Sequence, residues 1–237
     1  MNDTKNDSAT LLAYKVARIK QYGHDFHLDG TIPNPVVDKL VDILAPMDIR
    51  NSMETGCGRS TLIFSQLSDR HIVFSLDIGE SQSRVKQSPL LRHEHVEFVD
   101  EPSQLNVPAY KFPRLQLAML DGPHAYPFPE LEYFYVYPHI DPGGILVIDD
   151  ISIPSIRRMF EFLREDPMWQ ADSVVINTAF LRRTDAPTFD PSGDGWGAQP
   201  FNARRFKGSE PKSYRMRRFL YSLSPEIIRK LYAARKH

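Results

Sequence analysis

The chain has 237 residues, of which 41% are hydrophobic, so its length and composition suit one domain of ordinary size with short extensions. Its single cysteine, Cys57, excludes an intramolecular disulfide, and the longest apolar stretches fall far short of the roughly 20 residues that a membrane-spanning helix needs. No charged-then-apolar signal segment opens the sequence, so we expect a cytoplasmic protein.

The charge is distributed unevenly along the chain, although the formal net charge is only −1. From Phe201 onward there are 11 Lys/Arg against 2 Asp/Glu, whereas the first 200 residues hold the remaining 18 and 28. We expect no nucleic-acid partner. The basic tail could contact an anionic membrane surface or an acidic protein, or it could fold back on the acidic body, and both alternatives stay open, as does a homo-oligomer.

Apolar spacing predicts an alternation of helices and strands along the chain. A lead helix is expected around residues 11–19, and a second helix runs from Asn34-Pro35 to near Pro46. The elements expected next are a strand at 51–54, a helix at 60–67, strands at 71–77, 95–99, 115–120 and 144–148, and helices at 81–91, 129–137 and 153–164. Pro142-Gly143-Gly144 is expected to form a tight turn before the strand at 144–148.

This βα alternation, with strands of continuous apolar character, predicts a doubly wound α/β fold with a mostly parallel sheet covered on both faces. Two more strands, 173–177 and 179–183, lie close enough to form an antiparallel pair at one edge, giving seven strands with an antiparallel last strand. The predicted domain organisation comprises N-terminal helices covering the sheet (1–48), the α/β core (49–183), a long Pro/Gly-rich loop (184–213) and a basic amphipathic helical segment (214–237).

A pair of glycines, Gly56 and Gly58, joins the first strand to the following helix. Glycine permits a sharp turn and a close approach of the backbone to a ligand, and the helix N-terminus offers free N–H groups. A dinucleotide fingerprint would need a third glycine where Thr61 stands, and the G-K-[ST] of a P-loop is missing, so both are disfavoured. Cys57 lies at the same helix N-terminus, but no histidine or acid is placed to assist it as a nucleophile.

Acidic residues close or follow five successive predicted strands. In an open parallel sheet, ligands bind outside the carboxyl ends of the strands, so these positions carry most weight. Asp77 lies 21 residues past Gly56, a distance suited to a carboxylate that accepts both ribose hydroxyls of a nucleoside. The acids are Glu54, Asp77, Asp100, Asp121 and the pair Asp149-Asp150.

The string from Glu54 to Ser60, E-x-G-x-G-x-S, resembles the first motif of class I S-adenosylmethionine-dependent methyltransferases. The resemblance implies a Rossmann-like fold that binds S-adenosylmethionine (SAM). Its amino-acid end would lie on the turn, and its adenine near Asp100 or the adjacent Glu101. The cofactor-binding residues expected on this basis are Glu54, Gly56, Gly58, Ser60, Asp77, Asp100 and Asp121.

The string from Asp121 to Tyr126, D-G-x-H-x-Y, together with Asp149-Asp150, is similar to the metal-dependent O-methyltransferases that act on sugars and natural products. This resemblance covers roughly residues 50–183. It implies that Asp121, Asp149 and Asp150 bind a divalent metal, Mg²⁺ being the ion expected, and that His124 is the general base. Pro123 within this turn restricts the backbone, which bears on where His124 points.

The resemblance thus implies a SAM-dependent O-methyltransferase that acts on a hydroxyl of a sugar or natural-product acceptor with the help of a divalent metal. Such a hydroxyl is weakly acidic, so a cation that lowers its pKa and a histidine that accepts its proton fit the chemistry. Trp196, between glycines on the long loop, could cap the acceptor pocket. Two alternatives stay open: a metal-dependent hydroxylase or hydrolase on the same fold, and a non-catalytic module that docks through the basic tail.

Overall fold

A computed structural model describes residues 3–22, 31–189, 193–206 and Met216. Contacts within the chain divide it into two compact units, Met1–Thr188 and Phe189–His237. Among the helices of these described ranges, none is long and apolar enough to cross a membrane. The basic amphipathic segment predicted at 214–237 lies outside the described residues except for Met216, so that prediction and the contacts proposed for it stay predictions.

The first unit is built on a seven-stranded sheet in the order β3-β2-β1-β4-β5-β7-β6, which confirms the predicted fold class. Its first five strands are parallel, whereas β7 is antiparallel to both β5 and β6. The strands are β1 (Ile49–Thr55), β2 (Ser68–Phe74), β3 (Val96–Val99), β4 (Leu115–Leu120), β5 (Ile140–Ile148), β6 (Trp169–Val175) and β7 (Thr178–Arg183).

Helices connect and cover the strands because their apolar stripes need burial. In the second helix, Val36, Val37, Leu40, Ile43 and Leu44 repeat at three- and four-residue intervals, and all five are buried. The helices of the first unit are α1 (Asp3–Tyr22), α2 (Asn34–Leu44), α3 (Arg59–Leu67), α4 (Ser81–Gln87), α5 (Ser103–Asn106), α6 (Phe128–Val136) and α7 (Pro154–Leu163). Of these, α1 extends beyond the predicted 11–19, and α5 is absent from the sequence prediction.

The segment Pro142–Gly144 differs from the predicted tight turn, because it lies inside β5. Leu115 pairs with Ile140 and Leu117 with Ile145, so β5 carries extra residues between these pairs. This bulge absorbs the proline, which cannot donate a ladder hydrogen bond, and Gly143 at φ +83°. The strand therefore begins at Ile140 rather than at Gly144.

The described part of the second unit comprises a 3-10 turn at Trp196–Ala198 and the helix α8 (Pro200–Phe206). The Trp196 ring packs edge-on against Phe206, with 5.0 Å between ring centroids. The helix α8 lies within the segment that the sequence predicts as a loop. Its helical pattern is short, and the surrounding Pro, Gly and Asp residues favour a loop prediction. The proposed role of Trp196 over an acceptor stays a prediction.

Candidate active site

The carboxyl ends of the parallel strands border a cleft of about 630 Å³ in the first unit. This volume is in the range of small-molecule sites. Residues following β1, β2, β4 and β5 line it, together with the segment 31–33 that precedes α2. Among the described residues, none of those lining the cleft is a lysine or arginine, whereas Asp121, Asp149 and Asp150 all line it. The cleft is therefore suited to ligands with positive charge.

Gly56 forms the tightest part of the turn after β1. Its φ is +91°, and a Cβ at this position would meet the backbone carbonyl oxygen of Asp121. Its N–H donates to the carbonyl of Phe74 at 2.9 Å. Gly58 donates its N–H to Thr61 Oγ1 at 3.0 Å, which caps α3. The turn is thus fixed to both neighbouring strands, and Gly56 and Cys57 line the cleft.

Glu54 lies beneath this turn and does not line the cleft. Its side chain is 1% exposed, accepts a hydrogen bond from Thr61 Oγ1 and lies 3.1 Å from His71 Nε2. His71 in turn contacts Ser52 Oγ through Nδ1 at 2.8 Å. Ser60 is also buried at the start of α3. Glu54 and Ser60 therefore belong to the packed base of the turn rather than to its ligand-facing surface.

Asp77 and Asp100 lie near the β2 and β3 end of the cleft, but neither is among the residues that line it. Asp77 accepts hydrogen bonds from the Ser83 hydroxyl and, at 3.1 Å, from the Ser83 N–H, and these bonds lower its pKa. Asp100 accepts from Gln82 Nε2 at 2.7 Å and from Lys86 Nζ at 3.2 Å. Both acids thus hold α4 in place in this structure.

Asp121, His124 and Asp150 converge at the opposite end of the cleft. His124 Nε2 lies 3.6 Å from Asp121 Oδ1 and 3.5 Å from Asp150 Oδ2. One ligand atom from each residue lies within 4.8 Å of the others, a spacing that one metal ion can bridge. The Nε2 atom of His124 is buried and makes no hydrogen bond within the described protein. A buried nitrogen that lies between two carboxylates and makes no hydrogen bond fits a site that binds a further group.

Asp149 and Asp150 face different partners, because the chain leaves β5 between them. Asp149 Oδ1 accepts from Thr178 Oγ1 at 2.5 Å, whereas Asp150 Oδ1 accepts from Asn177 Nδ2 at 2.6 Å. Asp150 adopts a left-handed backbone with φ +54°. The structure thus brings two of the three predicted metal-binding aspartates together with His124, and it places Asp149 on the cleft wall beside them.

The protonation of this cluster reflects burial and mutual repulsion. Desolvation raises the pKa of Asp121 to about 7, with the Asp149 and Asp150 charges adding to the rise. Burial also raises the pKa of Asp149. Contact with Asp121 raises the pKa of His124, against the effect of its partial burial. Three carboxylates facing one imidazole leave an excess of negative charge, which a divalent cation would offset.

Three buried side chains near the cleft were missed by sequence reasoning. Glu132 on α6 is 1% exposed and accepts hydrogen bonds from Thr55 and Ser103. His71 supports Glu54, and Arg59 donates to the carbonyl of Ile32 at 2.8 Å, fixing the segment before α2. No local pattern marks these residues, because their partners are distant in sequence.

Cys57 behaves as expected for a residue that is not a nucleophile. Burial, and then the charge of Glu54, raises its pKa to about 12. A thiol with such a pKa stays protonated near neutral pH, so it lacks the thiolate that nucleophilic attack requires.

Comparison with known proteins agrees with this fold. A family model described as a methyltransferase domain matches residues 53–151. No curated protein shows significant sequence similarity to the chain.

Solved structures share the fold at low sequence identity. An O-methyltransferase from Bacillus cereus in complex with SAH has 16% identity and a TM-score of 0.53, covering 72% of this chain and 91% of that chain. TomG, an O-methyltransferase from Streptomyces achromogenes involved in tomaymycin synthesis, was solved with SAM and has 16% identity and a TM-score of 0.57, covering 72% and 89%. MycE, a methyltransferase from the mycinamycin biosynthetic pathway, was solved with Mg, SAH and mycinamycin VI. It has 13% identity and a TM-score of 0.51, covering 76% of this chain and 57% of that chain.

The sheet order is that of the Rossmann-like methyltransferase fold, and the match to a methyltransferase domain supports a SAM-dependent methyltransferase. Residues 53–151, which carry the match, include the glycine turn and the cluster of Asp121, His124 and Asp150.

Proposed function

We propose that the protein transfers a methyl group from SAM to a hydroxyl of a sugar or natural-product acceptor, assisted by a divalent cation, with Mg²⁺ as the expected ion. The observation that carries this proposal is the position of the Asp121, His124 and Asp150 cluster in the same cleft as the Gly56 turn. The methyltransferase-domain match supports methyl transfer over hydroxylation or hydrolysis on the same fold.

The cofactor would occupy the part of the cleft between the Gly56 turn and the segment that follows β2. Bound SAM supplies an electrophilic methyl group on a positively charged sulfur. Gly56 gives the ligand access to backbone groups, while Glu54, Gly58 and Ser60 shape the turn from behind. For its proposed ribose contact, the exposed Asp77 must also face the ligand. Asp100 is proposed near the adenine and Asp121 near the sulfonium end.

Asp121 and Asp150 are proposed to hold the cation, with Asp149 as the third carboxylate. Their oxygens are hard ligands of the kind that Mg²⁺ prefers, and the surplus of negative charge fits this role. A bound divalent ion lowers the pKa of a hydroxyl that it contacts, which makes the acceptor a better nucleophile.

His124 is proposed as the general base that takes the acceptor proton at Nε2. That nitrogen makes no hydrogen bond within the described protein, and His124 lines the cleft, so its lone pair can accept the proton of a substrate hydroxyl. Its backbone carbonyl accepts from Ser155 Oγ at 2.9 Å, which fixes the turn that carries the ring. The carboxylates of Asp121 and Asp150 stabilise the imidazolium that forms when the proton arrives.

The acceptor class is proposed from two proteins that share the fold. TomG functions in tomaymycin synthesis, and MycE was solved with the natural product mycinamycin VI. A neutral polyhydroxylated or aromatic acceptor suits a cleft that lacks basic residues among its described lining.

Calorimetric titration of S-adenosylhomocysteine (SAH), first with Mg²⁺ and then with EDTA, tests the cofactor part of the proposal. We expect micromolar binding that Asp77→Ala weakens at least tenfold. Asp69→Ala, which removes an exposed acid at the opposite end of β2, should bind like the wild type. Mass spectrometry of a sugar and natural-product acceptor panel incubated with SAM then tests transfer. Absence of SAH binding under both conditions would refute the proposal.

A further inference from the structure

Glu132 is a buried carboxylate directly beneath the two turns that form the cleft. Its side chain is 1% exposed. Oε2 accepts from Thr55 Oγ1 at 2.9 Å, and Oε1 accepts from Ser103 Oγ at 2.5 Å. Both carboxylate oxygens are therefore engaged by hydroxyl donors.

The hydrogen bonds continue from Glu132 to the backbone of the site. Thr55 Oγ1, which donates to Glu132, accepts the N–H of Asp121 at 3.1 Å. Thr55 immediately precedes Gly56, and Ser103 lines the cleft. One carboxylate thus connects the end of β1, the end of β4 and the start of α5.

Glu132 also packs against the Asp121-Gly122 turn itself. A Cβ on Gly122 would overlap Glu132 Oε1 and lie 2.8 Å from its Cδ. The turn that carries Asp121 and His124 therefore rests on this carboxylate, and only glycine fits between them. A displacement of the Glu132 side chain would therefore displace that turn as well.

Within the described part of the chain, no lysine, arginine or histidine is hydrogen-bonded to Glu132 or forms an ion pair with it. Burying a carboxyl group without a cation is unfavourable, and an apolar side chain of similar size would fill the same space at lower cost. A stabilising role alone does not account for an acid here. Its two fixed acceptor oxygens do something that a methionine could not, which is to orient Thr55 and Ser103.

We propose that Glu132 is a positioning residue for methyl transfer, which fixes the Asp121–His124 turn relative to the Gly56 turn. The inference rests on the proposed function, because that function assigns Asp121 and His124 on one turn to the cation and the proton transfer, and the Gly56 turn to the cofactor. Glu132 touches neither reactant and acts through Thr55, Ser103 and Gly122. Misplacement of reacting groups by about 1 Å costs on the order of 100-fold in rate, so the expected effect is large.

Glu132→Met and Thr55→Val remove the connection from its two ends while keeping size. We expect each to lower kcat about 10- to 100-fold. The KM for SAM and the SAH affinity should stay within about threefold, because a positioning residue affects the reaction step more than cofactor binding. Because the Thr55–Glu132 hydrogen bond is common to the two residues, the double variant should lose less than the product of the two single losses. Glu132→Gln keeps one acceptor oxygen for Thr55 and should recover most of kcat. Glu94→Gln, at an exposed acid, is the control.

Hydrogen exchange read by mass spectrometry tests the positioning without turnover. Peptides covering 121–126 should exchange faster in Glu132→Met and Thr55→Val than in the wild type, Glu132→Gln or Glu94→Gln, while 56–61 stay protected. Equal exchange in all variants would overturn the inference, as would wild-type kcat in both disruptive variants with only a lowered melting temperature. Should the wild type methylate no acceptor, the proposed function fails, and the exchange data still decide the role of Glu132. If Glu132→Met does not fold, Thr55→Val still breaks the connection between Glu132 and Asp121, and its kcat then decides the inference.

Discussion

A Cβ on Gly56 would lie 2.5 Å from the backbone carbonyl oxygen of Asp121, closer than such atoms approach in proteins. The turn proposed for the cofactor and the turn proposed for the metal are therefore in direct contact, with no side chain between them. This contact places the proposed cofactor site next to the proposed acceptor site. It also makes Gly56 sensitive to any substitution.

Gly56→Ala should lower both stability and cofactor affinity. At φ +91° an alanine costs about 1–2 kcal/mol of unfolding free energy, and the contact with Asp121 adds to this. We also expect SAH to bind at least tenfold more weakly, because the turn must move. Gly143→Ala is the matched control, since Gly143 has φ +83° with nothing within 4 Å. Urea unfolding and calorimetry provide the measurements. Similar losses in the two variants would mean that the close approach is unimportant.

Asp150→Asn should weaken divalent-cation binding more than tenfold, because it removes a charge from a cluster whose ligand atoms lie within 4.8 Å of one another. Thermal unfolding with increasing Mg²⁺ measures this as a loss of cation-dependent stabilisation. Asp42→Asn changes an exposed acid on α2 and should leave the Mg²⁺ response intact. An unchanged response in Asp150→Asn would exclude this aspartate as a ligand.

His124→Gln should reduce turnover about 100-fold or more, in line with the loss of a general base, with SAH affinity unchanged within about threefold. The base must be neutral to accept a proton. Its pKa is raised, mainly by contact with Asp121, so wild-type activity should increase with pH through a value above the ordinary 6.5 or so of histidine. The pH profile of kcat/KM tests this. If the variant keeps the same rising limb, another group is the base.

Without a divalent cation, the protein should lose stability as pH rises from about 4 to about 8. The folded-state pKa values of Asp121 and Glu132 are raised from 3.8 and 4.5 to about 7 in each case, chiefly by burial. The folded form then binds protons more tightly than the unfolded form, so the stabilising contribution is complete below the unfolded pKa and is lost as pH passes the folded one.

Urea unfolding in EDTA at several pH values measures this slope. Asp121→Asn should flatten it, because the amide does not titrate, whereas Asp42→Asn should not. Mg²⁺ added at the upper end of the range should restore stability, since it binds the ionised carboxylates. A slope of opposite sign in the wild type would show that these carboxyls are ionised across the whole range.

The sheet and the general position of the site follow from the sequence because both depend on local patterns. Apolar strands ending in acids predict which edge carries the ligand, and Asp121, Asp149 and Asp150 do line the cleft there. Asp77 does not, because β2 ends at Phe74, three residues before the predicted strand end, so that Asp77 lies in the connection to α4, just before a 3-10 turn at Ile78–Glu80.

Other parts of the site depend on contacts that leave no local signal. Thr55 and Glu132 are 77 residues apart in sequence, and their hydrogen bond is decided by how α6 packs under the sheet. An acid within an apolar helical stretch gives no indication of which hydroxyl it meets. His71 is similar, since it lies 17 residues from Glu54 and meets it only through the register of β1 and β2.

The hairpin of β6 and β7 has a consequence for the order in which the site can be completed during synthesis. Asn177 and Thr178, which orient Asp150 and Asp149, come after all five parallel strands in the chain. A ribosome-bound chain that ends before residue 177 can pair those five strands, yet its two acids lack the partners that orient them. The proposed cation-binding geometry therefore depends on β7, which follows the five parallel strands in the chain and pairs with β5.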